Sequence, residues 1–548
     1  MPIFRSRRGR SRGALLVAGL AAGALVLTAC TAEPATKSVA PDFELTTQTT
    51  APSGDIDSFT WASYAEPYSL DYAYAFDYAD NQVLANVCES LLRLNPDYSL
   101  SPGLAESFSQ PTPTTWVYEI RDGVTFHDGT PLTAADVVAS MQRHLDPAVG
   151  SFWYSVYQNV VSIEQTGDRE VTVTTAIPDS QFNQGMGGSA GVVESAATLA
   201  AAGADYGNST GLVNCTGPFE LTSWESGESI TLTRYDDYWD DSLRAKSGEV
   251  KFVFMNDPTA RVNAMKSGDV DGSWMLPVDG IPQLQQTAGE VSFGLTTAVN
   301  DLVVSNLDGP LGDVRVRKAL LMALDRQGIL EAGAKGYGEV SNALTTESVW
   351  GGASDATREA AFSDLEEYPH DVEAAKKLVE EAGATGEKIV IATAPITNEF
   401  AVVSQATVAA AQSIGLEAEI QTITPNAYTA LFSDPSAREG IDLYLTTWYL
   451  SSPDPLEMYA ILRTGEFSNY GNWSNADFDA LATEAVGTAD PEERAEKVVE
   501  LQHIANEELP WLPLYTTPMT AYQGERITGV SPSIAFLYYP WAAEIGAR

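Results

Sequence analysis

Covalent chemistry needs reactive side chains at workable spacing, and this sequence supplies few. Its four histidines, His127, His144, His370 and His503, stand far apart. No H-E-x-x-H segment sets two of them on one helix face to hold a metal. No G-x-S-x-G segment forms a nucleophile elbow. The Gly/Ser/Ala run at 185–191 allows close backbone approach but lacks the G-x-x-x-x-G-K-[ST] pattern of a phosphate cradle. These patterns argue against hydrolase, metalloenzyme and ATP-binding chemistry and call for no cofactor. Aromatic side chains are abundant instead. Trp61, Tyr68, Tyr72, Tyr74 and Tyr78 crowd one stretch, and Trp274 follows Asp271-Gly272-Ser273 at the end of an expected strand. Such rings either line a cleft or pack beneath a lobe, so the available chemistry is non-covalent recognition.

The elements that would position these rings are readable in places. From Thr114 to Asp146, Trp116, Tyr118 and Ile120 alternate with polar or smaller residues, the period of a strand. Asp122-Gly123 and Asp128-Gly129 mark turns, and Thr133 with Asp136 suits the start of a helix. Further helices are expected at 82–94, 371–382, 477–485 and 491–508, the last opened by Asp490-Pro491. Strands are expected at 170–175, 250–254 and 442–448, with a hairpin around Ser226-Gly227-Glu228. Helices alternating with strands predict an α/β architecture.

With 548 residues and 44% hydrophobic content, the chain can build two or three folded domains. A net charge of -43 disfavours nucleic acid and anionic lipid as bulk partners. The N-terminus reads as an export signal: Arg5, Arg7, Arg8, Arg10 and Arg12 precede an apolar core from Ala14 to Leu27. Arg7-Arg8 leaves both general and twin-arginine export open. Leu27-Thr28-Ala29-Cys30 resembles the lipobox of bacterial lipoproteins, which implies cleavage after residue 29 and acylation of Cys30. Residues 30–55 are rich in Thr, Ala, Pro and Ser and suit a flexible tether. Cys88 and Cys215 remain, either as one disulfide in an oxidising compartment or as two buried thiols.

Several segments together resemble one family. They are P-G-L-A-E-S-F at 102–108, the 114–146 stretch, C-T-G-P-F at 215–219, and Tyr235 with Tyr238-Trp239. Later come N-D-L-V-V-S-N at 300–306, D-V-R-V-R-K-A-L-L-M-A-L-D-R at 313–326, and L-P-W-L-P-L-Y at 509–515. In this order they resemble the family 5 extracellular solute-binding proteins of ABC importers, which include oligopeptide, dipeptide and nickel binders. The resemblance implies a periplasmic-binding-protein-like type II (cluster C) fold with two lobes and an extra subdomain. Lobe I would take 56–94, 215–312 and 515–548, the subdomain 95–214, and lobe II 313–514. Cys215 stands where relatives usually have glycine, which favours pairing with Cys88.

The resemblance also implies a site. W-Y-L-S-S-P-D-P at 448–455 aligns with the segment that hydrogen-bonds peptide backbones in relatives. Their amine-binding acid falls three positions after the tryptophan, and here that position is Ser451, which lacks the charge. Asp454 matches a structural acid further on. Trp448, Tyr449, Ser451, Trp274 and Asn426 are the expected pocket residues, with Trp61, Tyr68 and Tyr72 behind them. Arg315 and Arg317 could engage solute carboxylates, but solvent or structural ion pairs are their expected partners. The implied protein is a monomeric, lipid-anchored receptor outside the cytoplasmic membrane, serving a permease and its ATPases without catalysis. Its solute would be peptide-like. The alternatives are an oligosaccharide or glycopeptide binder, and a surface receptor or enzyme reusing the fold.

Overall fold

Two open sheets, whose central strands feed cores on both faces, organise the chain. The computed structural model describes residues 41 and 43–548 apart from residue 212; the export signal and Cys30 lie outside the described residues. The first sheet has seven strands in the order Glu290–Gly294, Met519–Gln523, Gly272–Trp274, Ile56–Ser63, Ser247–Phe254, Ser229–Arg234 and Phe219–Glu225. The strand Ile56–Ser63 explains its two-sided core. Phe59 and Trp61 enter a cluster with Phe252 and Trp541, while Ala62 enters another with Val262, Met265 and Phe293. Successive side chains on a strand point to opposite faces, so one strand feeds both layers.

The second sheet has six strands in the order Glu339–Val340, Trp511–Thr516, Val299–Val304, Leu443–Trp448, Lys388–Thr393 and Glu417–Thr422. Leu302 and Val304 pack with the helix Val314–Ala323, and Val303 packs on the other face with Tyr444 and Trp511. The subdomain is a four-stranded antiparallel sheet, Ala105–Thr112, Thr115–Ile120, Glu170–Thr175 and Val160–Gln165. The strand Thr115–Ile120 alternates buried and part-exposed positions as its sequence period predicts. The helix Ala134–Arg143 opens with the expected capping box: the Asp136 backbone N–H donates to Thr133 Oγ1 (3.4 Å) and the Thr133 backbone N–H donates to Asp136 Oδ2 (3.0 Å).

Three expectations need correction. The helix placed at 82–94 runs instead over Tyr78–Leu84, capped by Asp77, and Leu92–Leu94 pairs as a strand with Leu100–Pro102. The intervening turn is held by Cys88 and by Glu89, which accepts from Thr216, Tyr238 and Trp239. The strand at 299–304, assigned to lobe I, pairs in the lobe II sheet, and the strand Trp511–Thr516 there runs two residues past the expected boundary at 514. Both crossovers therefore lie closer to the first sheet than expected, at 295–298 and 517–518. Finally, residues 43–54 are not a free tether. Phe43 sits 5.0 Å from Phe293, the Thr46 backbone N–H donates to Phe293 O, and Gly54 bridges to Ala547. Phe43 and Leu45 give this polar run its apolar anchors.

The Cys88–Cys215 disulfide forms. It ties the end of the early helix to the strand returning from the subdomain. His127 reinforces the same junction: its backbone N–H donates to Cys215 O, and its Nε2 lies 3.0 Å from Gly217 O. Arg315 pairs with Asp313, and Arg317 is buried against the carbonyls of Leu311, Gly312 and Glu508. Both are structural, as expected.

Candidate functional site

The two crossovers fix where the lobes face each other. In the first sheet, Trp274 pairs with Ala521, and the Met275 backbone N–H donates to Thr520 O at 2.9 Å. In the second, Val299 pairs with both Trp448 and Thr516. Trp274 and Trp448 thus end their strands beside the same pair of connections. In open α/β sheets, ligands bind outside the carboxyl ends of strands, so this geometry sets the candidate cleft between these two ends.

The turn after Trp448 reaches across. Tyr449 donates its hydroxyl to Phe76 O at 2.8 Å, and its ring lies 5.4 Å from Tyr78. Thr297, within a crossover, donates to Leu450 O (2.9 Å) and accepts from the Leu450 backbone N–H (3.1 Å). A Cβ added at Gly188, in the Gly/Ser/Ala loop, would stand 3.5 Å from Ser451 O. That loop approaches the opposite lobe closely, as its composition permits.

Ser451 does not stand alone. Glu457, six residues on, accepts from the backbone N–H and hydroxyl of Ser451 (2.9 and 3.0 Å) and from those of Ser452 (2.8 and 2.6 Å). Burial raises its carboxyl above the usual range, and the four serine donors oppose that shift. Among the described residues no cation pairs with it. Asp454 instead pairs with Arg494 at 2.7 Å, both nearly sealed from solvent, in the structural role its position suggested.

The expected aromatic residues separate into groups. Trp448 is partly buried, edge-on to Trp511 at 5.3 Å. Trp61 and Trp274 are buried 5.6 Å apart, and Trp274 stacks on Phe536 at 4.5 Å. The ring faces expected to stack on a solute are engaged with other rings inside lobe I. Their edges differ: Trp61 Nε1 and Trp274 Nε1 are buried donors without a partner. Tyr72 is buried, and its carbonyl accepts from Trp153. Tyr68 is 81% exposed on a surface loop. Asn426 lies in the first turn of the helix Pro425–Ser433.

Several polar residues were not singled out from the sequence. On the helix Tyr78–Leu84, both amide atoms of Asn81 and the Oε1 of Gln82 are buried without partners, although Gln82 Nε2 donates to Ser63 at 2.9 Å. Each such group costs about 1–3 kcal/mol when sealed unpaired. Together with the two indoles they form a mixed donor and acceptor set on the lobe I elements facing Tyr449. The available signal was polar residues inside a helix with no solvent face. Among the described residues no group of three or more potential metal ligands occurs.

Two α/β lobes built on open sheets and joined by paired crossovers define a periplasmic-binding-protein-like fold of type II. Solved structures agree. The chain superposes with TM-score 0.78 and 22% identity on the binding protein AgaA of A. tumefaciens R10 in complex with agropinic acid, covering 90% of this chain and 99% of that one. For the oligopeptide-binding protein AppA of Bacillus subtilis in complex with a nonapeptide, the values are 0.77 and 21%, with 91% and 100% covered. The glutathione-binding protein GsiB of Escherichia coli K12 is 23% identical over 482 residues, 86% of this chain and 91% of that protein. Residues 99–470 match the family described as Bacterial extracellular solute-binding proteins, family 5 Middle. The chain belongs to that family: it is an extracytoplasmic solute-binding protein and not an enzyme.

Proposed function

We propose that the protein captures a peptide or peptide-like solute between its lobes and delivers it to an ABC permease powered by separate ATPases. In this reading Cys30 carries the acyl anchor, and the protein works as a monomer on the outer face of the cell membrane. The observation that carries the solute class is Glu457. Relatives are expected to present an acid at the position of Ser451, and here Ser451 and Ser452 hold the Glu457 carboxylate at that place. Serine donors stabilise the carboxylate but leave its charge uncompensated, so it favours an ammonium group of the solute. The glutathione and nonapeptide named for two relatives fit the same class.

A thermal-shift and calorimetric panel tests this. It compares free peptides of two to nine residues, their N-acetylated forms and oligosaccharides. Free peptides should raise the melting temperature and be recovered unchanged, with acetylation weakening binding about tenfold. Glu457→Gln should remove that discrimination. Stabilisation by oligosaccharides alone would replace the peptide reading with the saccharide one. Turnover of the solute would overturn the binding role.

A further inference from the structure

A buried cation with unpartnered nitrogens stands in lobe I. Arg261 lies one turn into the helix Pro258–Ser267, which connects the parallel strands Ser247–Phe254 and Gly272–Trp274. In that connection the helix start stands at the carboxyl ends of the strands, the edge that carries Trp274 and the crossovers. Arg261 is 6% exposed. Its Nη2 donates to Met275 O at 3.2 Å, whereas Nε and Nη1 are buried without partners. Met275 itself holds φ +52°, an uncommon conformation outside glycine.

The other buried arginines are satisfied. Arg326 donates to Ser341, Asn342, Pro513 and Tyr368. Arg494 has Asp454 and two carbonyls. Arg317 has carbonyls on all three nitrogens. Arg93 has an unpartnered nitrogen, but Glu89 and Asp240 stand against it. Burial lowers Arg261 to about 10, only partly offset by Tyr64, so the guanidinium remains charged at neutral pH. Nε and Nη1 lie on opposite sides of the guanidinium, so a carboxylate would meet one of them together with the second hydrogen of Nη2, a bidentate match to a buried cation.

We infer that Arg261 is the carboxylate-recognition residue of the cleft, and that the solute carries a free carboxylate at its lobe I end. This rests on the binding role proposed above and extends it: Glu457 in lobe II and Arg261 in lobe I suit a solute with an ammonium at one end and a carboxylate at the other.

The test uses the soluble protein and a peptide mixture in two forms, with free carboxylates and with every carboxylate amidated, compared by native mass spectrometry and calorimetry. The wild type should bind the free form about ten- to a hundredfold more tightly. Arg261→Gln should bind the two forms alike. It should also melt, without solute, no lower than the wild type, because it removes an unpaired buried charge. Equal wild-type binding of both forms overturns the proposal, and so does discrimination retained in Arg261→Gln. If neither mixture binds, the peptide reading fails separately. The melting comparison then decides Arg261, since a solute-free variant several degrees less stable marks a structural residue and overturns the inference.

Discussion

Asp454 and Asp301 are both buried acids, but they respond to opposite physics. Asp454 has Arg494 at 2.7 Å. Asp454→Ala leaves that guanidinium with carbonyl partners only, and should lower unfolding free energy by about 3–5 kcal/mol in a denaturant titration. Asp301 is fully buried in the strand Val299–Val304, and neither carboxylate oxygen has a partner. Burial holds its carboxyl well above the ordinary value. The folded state therefore keeps the proton while the unfolded chain releases it near pH 4. Stability should be full below that point and fall as pH rises toward the folded value, by about 1.4 kcal/mol per pH unit. Asp301→Asn should flatten this slope, read as melting temperature between pH 5 and 8. An unchanged profile would place an undetected partner beside Asp301. At this scale the sequence was least informative. Trp448 and Ser451 could be named because they sit in a motif. Glu457 and Arg261 could not, because what sets them apart, a buried charged group with no opposite charge beside it, arises only on folding.

The elements were more legible, since local rules govern them. Alternation marked Thr115–Ile120, and Asp490 marked the start of Pro491–Glu508; the helix expected at 371–382 ends at Gly383, which takes a left-handed φ. What failed was long-range pairing. The residues of Val299–Val304 are buried throughout, and nothing in such a run says which sheet it joins. The helix expected at 82–94 failed because Glu89 and the disulfide turn the chain after Leu84. That junction supports two predictions. Replacing both Cys88 and Cys215 by alanine releases a link spanning 127 residues and should cost about 2–5 kcal/mol, seen as a lower melting temperature. Gly217→Ala would put a Cβ 2.6 Å from Val87 O. It should displace the returning strand and destabilise by about 1–3 kcal/mol.

In the proposed capture role, the whole molecule works through the balance between lobes apart and lobes together. The Tyr449 hydroxyl on Phe76 O is a cross-lobe bond that Tyr449→Phe removes while keeping the ring against Tyr78. A net loss of about 1 kcal/mol shifts an open–closed balance about fivefold. The variant should therefore show a larger radius of gyration by solution scattering without solute, and weaker solute binding. A closed state that is too favourable would hinder release, so the bond should be worth little more than this. The most direct measurement is native mass spectrometry of the purified soluble protein, with chemical identification of what it carries. The account predicts a defined, non-covalent, peptide-like adduct in one-to-one ratio, released intact when the lobes unfold. A protein that carries no solute and binds none from a peptide mixture, or that returns the solute chemically altered, would contradict it.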